Sequence, residues 1–123
     1  CEKLVSVSGA SKVLTEGLVT YSNEAKVKRL GVKKETLHDF GAVSEETVRE
    51  MLEGLETDIG IAVSGVAGPL GGTIEKPVGT VWIAAACRDK VRSELFHFGT
   101  NREQNMLRAS NMALLMLLDM LQS

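Results

Sequence analysis

Several residue types are scarce in this sequence, and each scarcity excludes something. Cys1 and Cys87 are its only cysteines, too few for a disulfide framework and without the paired spacing of a structural zinc site. A reducing, cytoplasmic setting is therefore expected. One Trp, one Tyr and three Phe leave little to stack on bases. With 14 basic against 16 acidic residues and a net charge of -2, there is no basic stripe for nucleic acid either. The longest apolar run near the C-terminus, Met112 to Leu118, stops at Asp119, far short of the roughly 20 residues that span a bilayer. No secretory signal is visible, so neither a nucleic acid nor a membrane is expected as partner. At 123 residues the chain suits a single domain, residues 1–123, with one real core.

What is present is an alternation of strand and helix patterns. Val13 to Tyr21 reads as a strand. Ser22 or Asn23 then caps a short helix with Glu24 and Lys28 at i,i+4, ended by Gly31. A helical turn follows over Lys34 to Asp39, closed by Gly41. Ser44 is the N-cap of the next helix, with Glu45 and Glu46 in its positive first turn and Val48, Met51, Leu52 and Leu55 on one face. Ile59 to Val63 reads as a buried strand. Val78 to Cys87 is apolar on both faces, as a central strand covered by helices should be. Val91 to Phe98 returns antiparallel, because the Cys-Arg-Asp-Lys-Val link is too short to cross over. Asn101 to Leu121 is a helix whose second half is apolar nearly all round. It is either an inner helix or a surface for a second copy of the chain. The order predicts an α/β fold, a layered α/β/α sandwich with a mixed sheet.

Both prolines and five glycines fall in one stretch, SGVAGPLGGTIEKPVGTVWIAA, residues 64 to 85. Such a backbone adopts positive φ readily, and inward N–H groups form an anion nest suited to phosphate. A wide structural turn is the alternative. The loop has no Gly-Lys-Ser/Thr ending and runs into a strand instead of opening a helix, so it is neither a Walker loop nor a dinucleotide fingerprint.

This stretch resembles the signature of the CinA C-terminal domain family, the nicotinamide-nucleotide amidohydrolases. VSGASKV at 7 to 13, GLVTYSNEAKVKRLGV at 17 to 32, GAVSEETVREM at 41 to 51 and FGTNREQNMLRASNMAL at 98 to 114 agree in the same order. The resemblance spans nearly the whole chain. It implies metal-independent, cofactor-free hydrolysis of the carboxamide of nicotinamide mononucleotide by a serine nucleophile and a lysine base. Lys26 would be that base, with Tyr21 assisting. Ser64, Gly65, Ala67, Gly68, Gly71 and Gly72, together with Arg102 and Arg108, would hold the nucleotide. From the residues alone Lys26 is equally a solvated lysine beside Lys28 and Arg29, Ser64 a loop cap, and the two arginines helix-surface partners of Glu103. His38 and His97 read as structural, and Cys87 as a small hydrophobe.

The resemblance places the nucleophile in a Ser-Cys-Thr-Gly-Gly motif. Here Cys1 stands three positions before Leu4, about six residues closer than that spacing, so the expected serine precedes residue 1 along with the first strand. Ser6, Ser8 and Ser11 match the segment after the nucleophile and are not replacements. A nucleotide-binding or regulatory module of the same fold, without catalysis, is the competing expectation.

Overall fold

The apolar strand that follows the glycine loop lies in the middle of the sheet, as its two-faced hydrophobicity requires. The structure is a computed structural model that describes residues 23–55, 58–66 and 71–122. Its helices are α1 (Asn23–Leu30), α2 (Lys34–Phe40), α3 (Glu45–Glu53) and α4 (Arg102–Gln122); its strands are β1 (Ile59–Gly65), β2 (Thr80–Cys87) and β3 (Lys90–His97). The strands order β1-β2-β3, antiparallel throughout, with Val63 opposite Ile83 and Ile83 opposite Glu94.

Alternate residues of β2 feed two cores. Val81, Ile83 and Ala85 meet Ala109, Ala113, Met116 and Met120 of α4. Ala84 and Ala62, with Trp82 and Ala86 beside them, meet Leu30, Val32, Val48, Met51 and Leu52 from the α1–α3 side. Helices thus cover both faces, which is the α/β/α layering expected from the sequence. Each fully buried Val or Ile, such as Val48 and Ile83, contributes about 1.5–3 kcal/mol relative to exposure. All pairing among the described residues is antiparallel; the strand expected over Val13 to Tyr21, and any parallel pairing it brings to a mixed sheet, lie outside them.

Local signals set most of the element ends. Ser44 caps α3 by accepting from the Thr47 amide at 3.2 Å. β1 runs on to Gly65 and β2 begins at Thr80, because the loop is pinched shut by Val66 N–H to Thr80 O at 2.9 Å and Gly79 N–H to Val66 O at 2.7 Å. The start of α2 is different, since Lys33 at its N-cap makes no side-chain cap. Glu50 of α3 supplies one from outside, accepting from Lys33 N–H at 2.8 Å and from the Thr36 hydroxyl at 2.5 Å. A carboxylate there also suits the positive end of a helix.

The far end of α3 is packed as tightly as backbone allows. A Cβ on Gly54 would stand 2.0 Å from the Leu30 carbonyl oxygen and 2.7 Å from its Cα, so any side chain must push α1 off α3. Gly54→Ala is expected to cost about 1–3 kcal/mol as overpacking. The measurement is urea unfolding, with a lowered midpoint at unchanged slope; an unaltered midpoint would contradict this close approach.

Candidate functional site

The glycine loop closes the end of the sheet where β1 leaves and β2 and the β3–α4 connection meet. Its two limbs are fastened to opposite layers. On one side Phe98 N–H donates to Gly79 O at 2.8 Å, and a Cβ on Gly79 would lie 2.5 Å from the carbonyl oxygens of both Phe98 and Gly99. Gly99 O in turn accepts from the amide of the buried Asn105 at 2.9 Å. The loop's exit is thereby tied to the start of α4.

On the other side stands the α2–α3 corner, where three successive carbonyls are each taken by a side chain. Phe40 O accepts from Lys76 Nζ at 2.5 Å. Gly41 O accepts from Ser44 Oγ at 2.9 Å and Thr47 Oγ1 at 2.7 Å. Ala42 O accepts from Ser64 Oγ at 2.7 Å. Gly41 has φ +81°, and a Cβ there would meet Lys76 Nζ at 2.9 Å, so both its conformation and its neighbour call for glycine. One corner therefore holds the end of β1, the glycine loop and the cap of α3.

Among the residues the sequence singled out, Ser64, Gly65, Gly71 and Gly72 come together at this end of the sheet. Their glycines do not all serve the same need. A Cβ on Gly65 would strike Val81 Cγ2 at 2.7 Å and one on Gly72 the Val78 amide at 2.6 Å, whereas Gly71, at φ +97°, faces open space. Gly65 and Gly72 are explained by the loop's own close packing; Gly71 is open to a ligand. Tyr21, Ala67 and Gly68 lie outside the described residues.

Lys26 is buried on α1, one turn before Leu30, which packs under the same face of the sheet as Trp82. Burial lowers its ammonium from the ordinary lysine value, because a charge loses its hydration in the interior. The solvated lysine is thus overturned as a description of Lys26, although it fits the exposed Lys28 and Arg29. Its backbone is fixed too, as Lys26 O accepts from Val32 N–H at 3.2 Å.

Arg102 and Arg108 are exposed on α4. Six residues of helix turn them about 120° apart, so they do not converge on one point. Arg102, at the first position of the helix, is the one beside the loop's anchored exit. His38 is exposed against Asp39 at 3.1 Å, on the rim of an open groove between α1 and α2 that Glu24, Val27, Lys28, Lys34 and Leu37 also line. Cys87 is half-buried against the α4 core. Among the described residues no three His, Cys, Asp or Glu side chains gather to hold a metal ion, and no helix is long and apolar enough to cross a membrane.

Lys76 and Glu50 are the residues that sequence reasoning missed. The signal for Lys76 was one cation in a nearly uncharged loop, with its partner, a backbone carbonyl, 36 residues away.

The profile of the family described as CinA C-terminal domain matches residues 1–121. A CinA-like protein of Kosmotoga olearia is 53% identical over 116 residues, which cover 91% of this chain and 28% of that protein. A CinA-like protein of Fusobacterium nucleatum is 59% identical over 90 residues, 73% of this chain and 22% of that protein. The chain thus spans between a fifth and a third of the length of these relatives. Among solved structures, the competence/damage inducible protein CihA from Agrobacterium tumefaciens matches with a TM-score of 0.92 at 40% identity, covering 96% of this chain and 75% of that one. A CinA superfamily protein from Escherichia coli matches with a TM-score of 0.91 at 32% identity, covering 97% and 72%.

Removing the Lys76 ammonium should release the loop from the corner without unfolding the sheet. Lys76→Met is expected to speed hydrogen exchange at the Val66, Thr73 and Gly79 amides while β2 amides stay protected, at a cost of about 1 kcal/mol. Unchanged exchange in the loop would show that Lys76 does not hold it.

Proposed function

Since the chain belongs to the CinA C-terminal domain family, we propose that it acts on a pyridine nucleotide, hydrolysing the carboxamide of nicotinamide mononucleotide to nicotinate mononucleotide and ammonia. The observation that carries this reading is the buried Lys26 with its lowered proton affinity. A serine oxygen attacks the amide carbon while the neutral Lys26 amine takes the hydroxyl proton, and the same proton leaves on ammonia as the C–N bond breaks. Water then repeats the attack on the acyl-serine and restores the enzyme. Tyr21 assists the proton transfer. The nucleotide lies against the loop from Ser64 through Gly65, Ala67, Gly68, Gly71 and Gly72, with Arg102, beside the loop's anchored exit, as the cation for its phosphate. Such a substrate belongs to the cytoplasmic nucleotide pool, and the reaction needs no cofactor.

The geometry of Ser64 supports an amide as the guest. Its single hydroxyl proton is given to Ala42 O, so its oxygen meets a ligand as an acceptor. An acceptor pairs with a carboxamide NH2 and repels a carboxylate, which favours binding of substrate over release-stage product. Ser64→Ala is expected to raise KM for the amide severalfold and to strengthen inhibition by nicotinate mononucleotide; equal inhibition by product before and after would remove Ser64 from this role.

Lys26→Met should abolish ammonia release with the circular dichroism spectrum unchanged; retained turnover would dismiss Lys26 as the base. Because the neutral amine is the working form, kcat/KM should rise with pH through an apparent pKa below the ordinary lysine value. Stability follows the same sign. Between the lowered and the ordinary value the unfolded chain binds more protons than the folded one, so stability rises with pH across that window.

The second reading is a nucleotide-binding module without turnover, and it rests on the glycine loop alone, which Lys76 and Ser64 hold to the α2–α3 corner. It predicts a thermal shift with nicotinamide mononucleotide but no ammonia.

A further inference from the structure

Trp82 on β2 stands directly opposite Ser64 on β1. Residues so paired point to the same face of the sheet, with Cβ atoms about 4.5–5.5 Å apart. Leu95 of β3 completes the row on the other side of Trp82. The next row inward is Ala62, Ala84 and Ser93, and it already meets the start of α3, where Ser93 Oγ donates to Glu45 and accepts from Arg49. The row of Ser64, Trp82 and Leu95 therefore lies beyond the N-terminal end of α3, toward the glycine loop. Its cover is incomplete. Leu95 is 43% exposed and Trp82 is half-buried, although the indole also packs on the core that holds Leu30, Val48 and Met51.

We propose that the indole of Trp82 is the platform on which the ring of the bound nucleotide stacks, and that it selects a positively charged pyridinium over a neutral ring. The inference rests on the reading of Ser64 as acceptor for the carboxamide. A ring whose carboxamide is held at Ser64 Oγ lies within about one strand spacing of that oxygen, roughly 4.8 Å, and the neighbouring strand presents Trp82 there. The ring nitrogen of the nucleotide is cationic. The charged side chains that the loop and its exit bring to this end of the sheet, Lys76 and Arg102, are cations too. Glu45, the carboxylate that reaches this face of β3, is engaged by Ser93 and Arg49. The ring charge then needs an electron-rich partner, and the face of an indole is the strongest among the aromatic side chains. At a partly desolvated site such a contact discriminates by about threefold to thirtyfold.

Trp82 is the only tryptophan of the chain, so indole emission reports on this contact alone. Excited at the red edge of indole absorption, where Tyr21 is silent, the unaltered protein should lose most of its emission on saturation with nicotinamide mononucleotide, because an electron-poor ring in contact quenches an indole. Calorimetric titrations in a Lys26→Met background, where the nucleotide is not consumed, then compare nicotinamide mononucleotide with the C-nucleotide that carries a neutral benzamide ring in place of the pyridinium. The charged ring should bind about tenfold tighter. Trp82→Leu should bring that ratio close to one, and Trp82→Phe should keep part of it. Loss of core packing alone would weaken both ligands equally and leave the ratio as it was. Saturable binding with unquenched emission, or an unchanged ratio in a folded Trp82→Leu protein, overturns the proposal and leaves the amide reading in place. No binding of nicotinamide mononucleotide at all overturns both.

Discussion

A strand with no polar face cannot sit at the edge of a sheet or leave one side in water, and β2 is such a strand. Val81, Ile83 and Ala85 point one way, Trp82, Ala84 and Ala86 the other. Both faces must be covered and both edges paired. The two hairpins answer the second demand and the two helical layers the first. Short links to β3 and a wide link to β1 then differ in what they leave over. The Arg88-Asp89 turn only reverses the chain, with Arg88 at φ +58°, while the long loop has backbone to spare at the end of the sheet.

That spare backbone is held in a defined shape by the layers on either side. Gly79 is locked to the β3–α4 connection, and Lys76 and Ser64 to the α2–α3 corner. The corner is rigid because each of its carbonyls already has a partner, in keeping with the rule that polar groups turned from water are satisfied. A ligand at the loop would therefore meet groups fixed before it arrives, which lowers the entropy cost of binding. Lys26 lies under the same layer, and its burial is what separates it from the other cations of α1.

The sequence exposed the elements well because their signals are local. The Ser44 cap, the apolar face of α3 and the two-faced run of β2 each depend on residues within a turn or a strand of one another. The site was legible only as a list. Gly65 and Gly72 looked alike with Gly71 in the sequence, yet two of the three are glycine because Val81 and Val78 crowd them. Arg102 and Arg108 looked like a pair, and helix geometry separates them. Glu50 read as one more acidic residue of an amphipathic helix, and it proved to cap the helix next to it.

By itself the sequence determined which segments are helix and strand, that β2 would be central, that the loop has unusual backbone freedom, and that Lys26 and Ser64 stand in a recognisable pattern. Periodicity, capping and glycine content are properties of neighbours along the chain, so they can be read there. Only the tertiary structure decided that Lys26 is desolvated, that the Ser64 hydroxyl proton is spoken for, that Lys76 grips a carbonyl 36 residues away, and which face of α4 is left bare. Desolvation and hydrogen-bond direction depend on what surrounds an atom in space, and no spacing along the chain contains that.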